Sequence, residues 1–210
     1  MKQHVAYFKA VMRHKWFVFL ACFRFGVPIW SAILHDWDKF LPDEWFAYAR
    51  TFYKPNGEKQ YIESVDFARA WMLHQHRNKH HWQWWMWVTH VTENWGEPLR
   101  KTEYIVWDRG EAQRVFKSNS RFVLRPQYEG DYVGDPDPMS DSARREMLAD
   151  WFGAGRAYNE NWTLEEPLKW YEKNKENIQL HPETRVLVEA ELNRAKNEYD
   201  LDMKRRVLGL

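Results

Sequence analysis

His35-Asp36-Trp37-Asp38-Lys39-Phe40 places a histidine, a carboxylate and an ammonium within about one helical turn, which is the vocabulary of a metal site. On a helix, neighbouring His35 and Asp36 side chains would diverge by about 100°, so a single ion between them needs ligands from other elements. The chain supplies them. His14 lies upstream, His74-Gln75-His76-Arg77-Asn78-Lys79-His80-His81 follows, and Glu146-Met147-Leu148-Ala149-Asp150-Trp151 comes later.

The segments bearing these residues read as helices. Residues 3–25 carry Val5, Phe8, Val11, Met12, Phe19 and Phe23 at helical spacing, with His14 partway along. Gly26-Val27-Pro28 breaks the apolar run, and Pro28 opens a second buried helix that delivers His35 and Asp36 at its end. Helix capping would account for Asp36 and Asp38 beside Lys39, but it does not ask for the preceding histidine. Leu41-Pro42-Asp43-Glu44 starts a helix that runs to about Tyr53 and stops at the turn Lys54-Pro55-Asn56-Gly57. Ser64 to Trp71 resumes the helical pattern. His76 and His80 then share a face at i, i+4 with His81 beside it, and Arg77 and Lys79 leave a mixed basic surface as the plain alternative.

Trp84, Trp87 and Val91 continue at helical spacing as core positions, while the remaining tryptophans of this stretch could stack on a planar ligand. His90 and Glu93 stand close enough to support a site without binding in it. Residues 97–141 change character. Glu103 to Trp107 and Arg121 to Leu124 are short β-like runs, and a Gly- and Pro-rich stretch covers Gly130 to Pro138. The pattern is that of a β-hairpin or irregular insertion in one mainly α domain spanning 1–210. Ser140 or Asp141 caps the next helix, where Glu146 and Asp150 beside Arg144 and Arg145 would by themselves be surface ion pairing. Gly153 and Gly155 interrupt it, a helix covers Trp162 to Asn177, and His181-Pro182-Glu183-Thr184-Arg185 begins the last.

At 210 residues the chain is long enough for a substantial core. Its 31 basic and 30 acidic residues nearly cancel, so no global field draws it onto nucleic acid. A single cysteine, Cys22, rules out an internal disulfide and fits a reducing cytoplasm. The apolar run Trp16 to Leu34 is interrupted by Arg24, Gly26 and Pro28, which argues against a membrane span, and no small-residue cleavage site follows it.

The order His14, then His35-Asp36 with Lys39 three residues on, then a histidine cluster, then Asp150 resembles the HD-domain superfamily of helical, mostly phosphohydrolytic metalloproteins. HDWDKF, HRNKHHW, EMLADW, GAGRAYN and LHPETR resemble more narrowly an uncharacterised HD-like family of phages and bacteria. The resemblance implies an HD-like helical bundle whose metal ligands are His14, His35, Asp36 and Asp150, joined by His76, His80 and His81 if a second ion is held. It implies one or two ions of Mn, Fe, Co, Ni, Mg or Zn, with Asp36 catalytic and Lys39 acting on the substrate. Trp151 would shelter Asp150. The expected partner is a nucleotide or other small phosphoester in the cytoplasm, the host's if the chain is phage-encoded, and homo-oligomerisation is open. Two alternatives share these ligands: a mixed-valent di-iron oxygenase, and a non-catalytic metal- or nucleotide-binding protein.

Overall fold

The computed structural model describes residues 1–90, 103–108, 111–116, 131–134, 136–159 and 162–208, with side chains for 1–86, 136–159 and 162–199. Its helices are α1 (Lys2–Phe25), α2 (Ile29–Leu34), α3 (Pro42–Phe52), α4 (Val65–Arg77), α5 (Asp141–Tyr158), α6 (Glu165–Asn174) and α7 (Pro182–Leu208). The mainly α bundle expected from the pattern is what the chain adopts. Among the described residues no helix is long and apolar enough to cross a membrane.

α1 and α5 form the central pair. They run antiparallel, with Gly26 beside Arg145 at one end and His14 stacked on Tyr158 towards the other. The buried stripe of α1 is Tyr7, Val11, His14, Val18, Cys22 and Phe25. Of the stripe expected from spacing, Val11 is in it, whereas Val5, Phe8, Met12 and Phe23 are exposed. α1 carries apolar residues on more than one face, so periodicity alone fits more than one stripe. α2 buries only Ala32 and is not the buried helix that its composition suggested.

α5 does not break at its glycines. It continues through Gly153 and Gly155, and a Cβ at Gly153 would stand 2.5 Å from the Val18 backbone. Gly153 is therefore the point at which two helix backbones touch, a closeness that any side chain would prevent. Val18, Cys22, Phe25, Met147, Leu148 and Phe152 build the larger core around it, and Tyr7, Val11, Ala47 and Tyr48 a smaller one between α1 and α3. Ser140 accepts a hydrogen bond from the Ala143 N–H and caps α5. Met139 N–H donates to Thr184 Oγ1 at 3.0 Å, tying the start of α5 to α7.

Between α4 and α5 the expected helical continuation is absent: Trp82–Trp85 is a 3-10 turn, followed by strand β1 (Trp87–His90). β-branched and aromatic residues favour that pleat over a helix. Trp82 and Trp85, which helical spacing leaves outside the core, are half-buried against the larger core, whereas Trp84, expected as a core position, lies under the Lys79 ammonium. β1 pairs antiparallel with β4 (Asp131–Gly134), and β2 (Glu103–Asp108) with β3 (Glu111–Phe116). Strand structure thus begins before the expected start at residue 97, and the hairpin partner of Glu103 to Trp107 is Ala112–Phe116. Arg121 to Leu124, Val91 and Glu93 lie outside the described residues, as does the His90 side chain.

Gly153→Ala should destabilise the protein by about 3 kcal/mol, because the clash is with backbone that has no room to yield. Gly155→Ala, whose nearest neighbour is the Trp162 side chain at 3.0 Å, should cost much less. Thermal unfolding of the two variants side by side checks this, and equal melting temperatures would refute it.

Candidate metal centre

His35 and Asp36 do not sit on a helix. His35 (φ −47°, ψ 127°) and Asp36 (φ 54°, ψ 32°) form a tight turn after α2, and Asp36 is the one non-glycine with positive φ among the described residues. This turn solves the problem of diverging neighbours: both side chains point inward, 2% and 1% exposed. Left-handed backbone costs an aspartate about 1 kcal/mol, and Lys15 Nζ, donating to the Ile33 and His35 carbonyls from α1, helps hold the turn.

The two oxygens of Asp36 face different groups. Oδ2 lies 2.9 Å from His14 Nε2 and 3.4 Å from His35 Nε2, and Asp150 Oδ1 stands 3.3 Å and 3.4 Å from the same two nitrogens. Oδ1 lies 3.4 Å from His74 Nε2 and 3.3 Å from His80 Nε2, with His81 completing that group. Lys39 Nζ donates to Asp36 Oδ2 at 2.6 Å.

Carboxylates behind the imidazoles fix their direction. Asp38 Oδ2 takes His74 Nδ1 at 3.1 Å and Asn78 Nδ2 at 2.6 Å, with Glu44 Oε2 3.2 Å from the same imidazole nitrogen. Glu44 is in turn held by Arg77 at 2.7 Å. On the other side Glu146 Oε1 meets His35 Nδ1 at 3.0 Å and His80 Nδ1 at 3.3 Å. His35, His74 and His80 therefore each present Nε2 to Asp36, the carboxylate–imidazole arrangement that orients metal ligands.

The donor atoms fit an ion. His35 Nε2, Asp36 Oδ1, His80 Nε2, His81 Nε2 and Asp150 Oδ1 are buried without a hydrogen-bond partner. Bonds of about 2.1 Å at right angles would set neighbouring donors about 3 Å apart, close to the separations here. Electrostatics agree. Burial pushes the Asp36 carboxyl up, but His35, Lys39 and His74 outweigh it and hold it well below the usual carboxylate range. Against the same burial effect, His35 and Asp150 are likewise held respectively well above and below their ordinary values, and His35 and His80 bring Glu146 down to about 2. Burial lowers His14, with Lys39 adding to it.

His14, His35, Asp36, His80, His81 and Asp150 thus come together as expected candidates. His76 does not: its Nδ1 bonds the Met72 carbonyl at 2.7 Å within α4, and it belongs to none of the converging groups. α4 ends at Arg77, so His76 and His80 never share a helical face, and His74, one residue pair earlier, takes the place expected of His76. Trp151 turns away onto Trp170 and Tyr171, and Tyr158 shelters His14 instead. Sequence reading missed His74, Glu146, Asp38 and Glu44. The Asp36-x-Asp38 spacing and the i, i+4 pair His74 and Asn78 were the available signals.

A family model described as a family of unknown function (DUF5662) matches residues 3–109 and 116–194. No curated protein and no solved structure matches.

Burial opposes a charged His74, but Asp36 and Asp38 prevail over it and raise its pKa to about 8. In metal-free protein its contribution is complete below the ordinary 6.5 and is lost as pH rises through about 8. We expect about 2 kcal/mol of stability from His74 to disappear across that window, and Asp36→Asn to abolish the loss. Denaturant unfolding at a series of pH values reads both. A stability flat from pH 6 to 9 would contradict the assignment.

Proposed function

The chain belongs to the DUF5662 family, of unknown function, and from its site we propose a metal-dependent phosphohydrolase of the HD kind that holds two ions bridged by Asp36. The observation that carries this reading is that each oxygen of one buried carboxylate faces its own set of imidazoles, and that each set contains donors without a hydrogen-bond partner: His35 Nε2 and Asp150 Oδ1 in one, His80 Nε2 and His81 Nε2 in the other. His14, His35 and Asp150 would hold one ion, and His74, His80 and His81 the other. The nitrogen and oxygen donors, without thiolate, suit Mn²⁺, Fe²⁺, Co²⁺, Ni²⁺ or Mg²⁺, with Zn²⁺ also compatible. Such ions supply Lewis acidity, lowering the pKa of a water they bind and neutralising phosphoryl charge.

The protein's own part is positioning and charge. Lys39 lines the cavity beside the ligands, and although burial acts against its charge, Asp36 keeps it an ammonium well above its ordinary pKa. It would bind a non-bridging phosphoryl oxygen. Asp38, Glu44 and Glu146 keep the imidazoles in register. Hydrolysis forms a bond from the water oxygen to phosphorus as the ester P–O bond breaks, giving an alcohol and inorganic phosphate.

Elemental analysis after growth with Mn²⁺, Fe²⁺, Co²⁺ and Ni²⁺ should find up to two ions per chain, absent from Asp36→Ala and retained by His76→Ala. Lys39→Ala should keep the metal while losing phosphate release from a chromogenic phosphomonoester by about 100-fold. Metal affinity should also rise with pH up to about 8, since His74 must give up a proton to bind. Wild-type protein with only trace metal would sink the reading, and loss of metal from Lys39→Ala would reassign that residue.

A further inference from the structure

A cavity of about 500 Å³ opens off the ligand cluster, within the size range of small-molecule sites. His14, Lys39, His74, His81 and Asp150 border it at one end. From there it follows the helices. Tyr158 stacks on His14 with ring centroids 5.9 Å apart and Trp71 on His74 at 5.7 Å, so the aromatic walls begin at the ligands themselves, and the lining continues through Phe52, Tyr53 and Lys59. Phe52, Phe67, Trp71 and Tyr158 give it flat aromatic walls, with Val11 and Ala154 between them.

Charge is confined to the two ends. Lys39 is buried beside the ligands, and the other lysine of the lining, Lys59, is exposed. A polyphosphate would need cations along the middle, where the walls are apolar. Two buried hydroxyls stand among them without a partner, those of Tyr7 and Tyr48, residues 4% and 6% exposed. Leaving such a hydroxyl unsatisfied costs about 1–3 kcal/mol, so acceptors on a ligand would relieve both. Burial also pushes each phenol pKa up, which keeps them O–H donors.

Building on the phosphohydrolase reading, we propose that this cavity takes a phosphomonoester whose organic half is one flat ring system bearing hydrogen-bond acceptors. The phosphate lies at Lys39, the ring between the aromatic walls, and the Tyr7 and Tyr48 hydroxyls donate to the ester. Polyphosphates are disfavoured because the lining offers no lysine or arginine besides Lys39 and Lys59, and oligonucleotides because the cavity is only about 500 Å³.

Calorimetry on the metal-loaded protein, with adenosine 5′-monophosphate, adenosine 5′-triphosphate and glycerol phosphate as probes, tests this. The monophosphate should bind at least tenfold more tightly than glycerol phosphate, in line with base–aromatic stacking, and more tightly than the triphosphate. Tyr7→Phe and Tyr48→Phe should each weaken it about tenfold with metal content unchanged. Neither variant should lower the melting temperature of the free protein, because each removes an unsatisfied group. Equal binding of glycerol phosphate and the monophosphate, preference for the triphosphate, or no effect of either Phe variant would overturn the proposal. Failure of the underlying reading looks different: the monophosphate would bind with the predicted selectivity, supporting the cavity assignment, while no phosphate was released.

Discussion

Asp36 is the constraint on which the rest depends. A carboxylate 1% exposed would cost several kcal/mol to bury alone, and it is tolerated because imidazoles from four separate parts of the chain and the Lys39 ammonium surround it. Those partners come from α1, from the turn after α2, from α4 and from the turn beyond α4. The charge therefore acts as a tie between elements that the apolar cores alone would leave free to slide. The left-handed backbone at Asp36 follows from the same demand, since only a turn aims successive His35 and Asp36 side chains into one space.

Helix packing sets the distances that this tie requires. Gly153 lets α5 rest on the backbone of α1 at Val18, one turn from where His14 meets Asp150. A larger residue there would part the two helices and move the ligands with them. The glycine that looked like a helix breaker in sequence is thus what brings the two halves of one donor set together. Its effect is on packing, because the helix has no need of its conformational freedom.

Helix boundaries were legible where punctuation was local: Pro42, the Lys54 to Gly57 turn, the Ser64 and Ser140 caps and Pro182 each mark an end that the structure keeps. The convergence of His14, His35, Asp36, His80, His81 and Asp150 was legible through the order of motifs. What failed was orientation. The outer face of α1 competed with its inner face in the apolar pattern, and His76 competed with His74, because extending α4 through His80 gave the wrong rotation for every histidine after Arg77. Glu146 and Asp38 were misread for a further reason. A carboxylate at i, i+4 from Asp150 looks like surface ion pairing, and one just after a His-Asp pair looks like a helix cap, until the imidazole it serves arrives from a distant element.

The raised imidazoles of His35 and His74 and the depressed carboxylates of Asp36, Asp38, Glu146 and Asp150 express a single imbalance. Asp36, Asp38, Glu44, Glu146 and Asp150 lie within one buried region, and Lys39 is the permanent cation in contact with Asp36. Arg77 offsets Glu44, and without another positive group the remaining compensation comes from protons on His35 and His74, both accordingly pulled above their ordinary values. Protons are poor substitutes, since each satisfies one bond while several inward nitrogens and oxygens stay without a partner. Divalent ions would satisfy both needs at once, charge and coordination. Of these unpartnered atoms, His81 Nε2 and Asp150 Oδ1 belong to residues that line the aromatic-walled cavity, which is where an ion held here would meet a ligand.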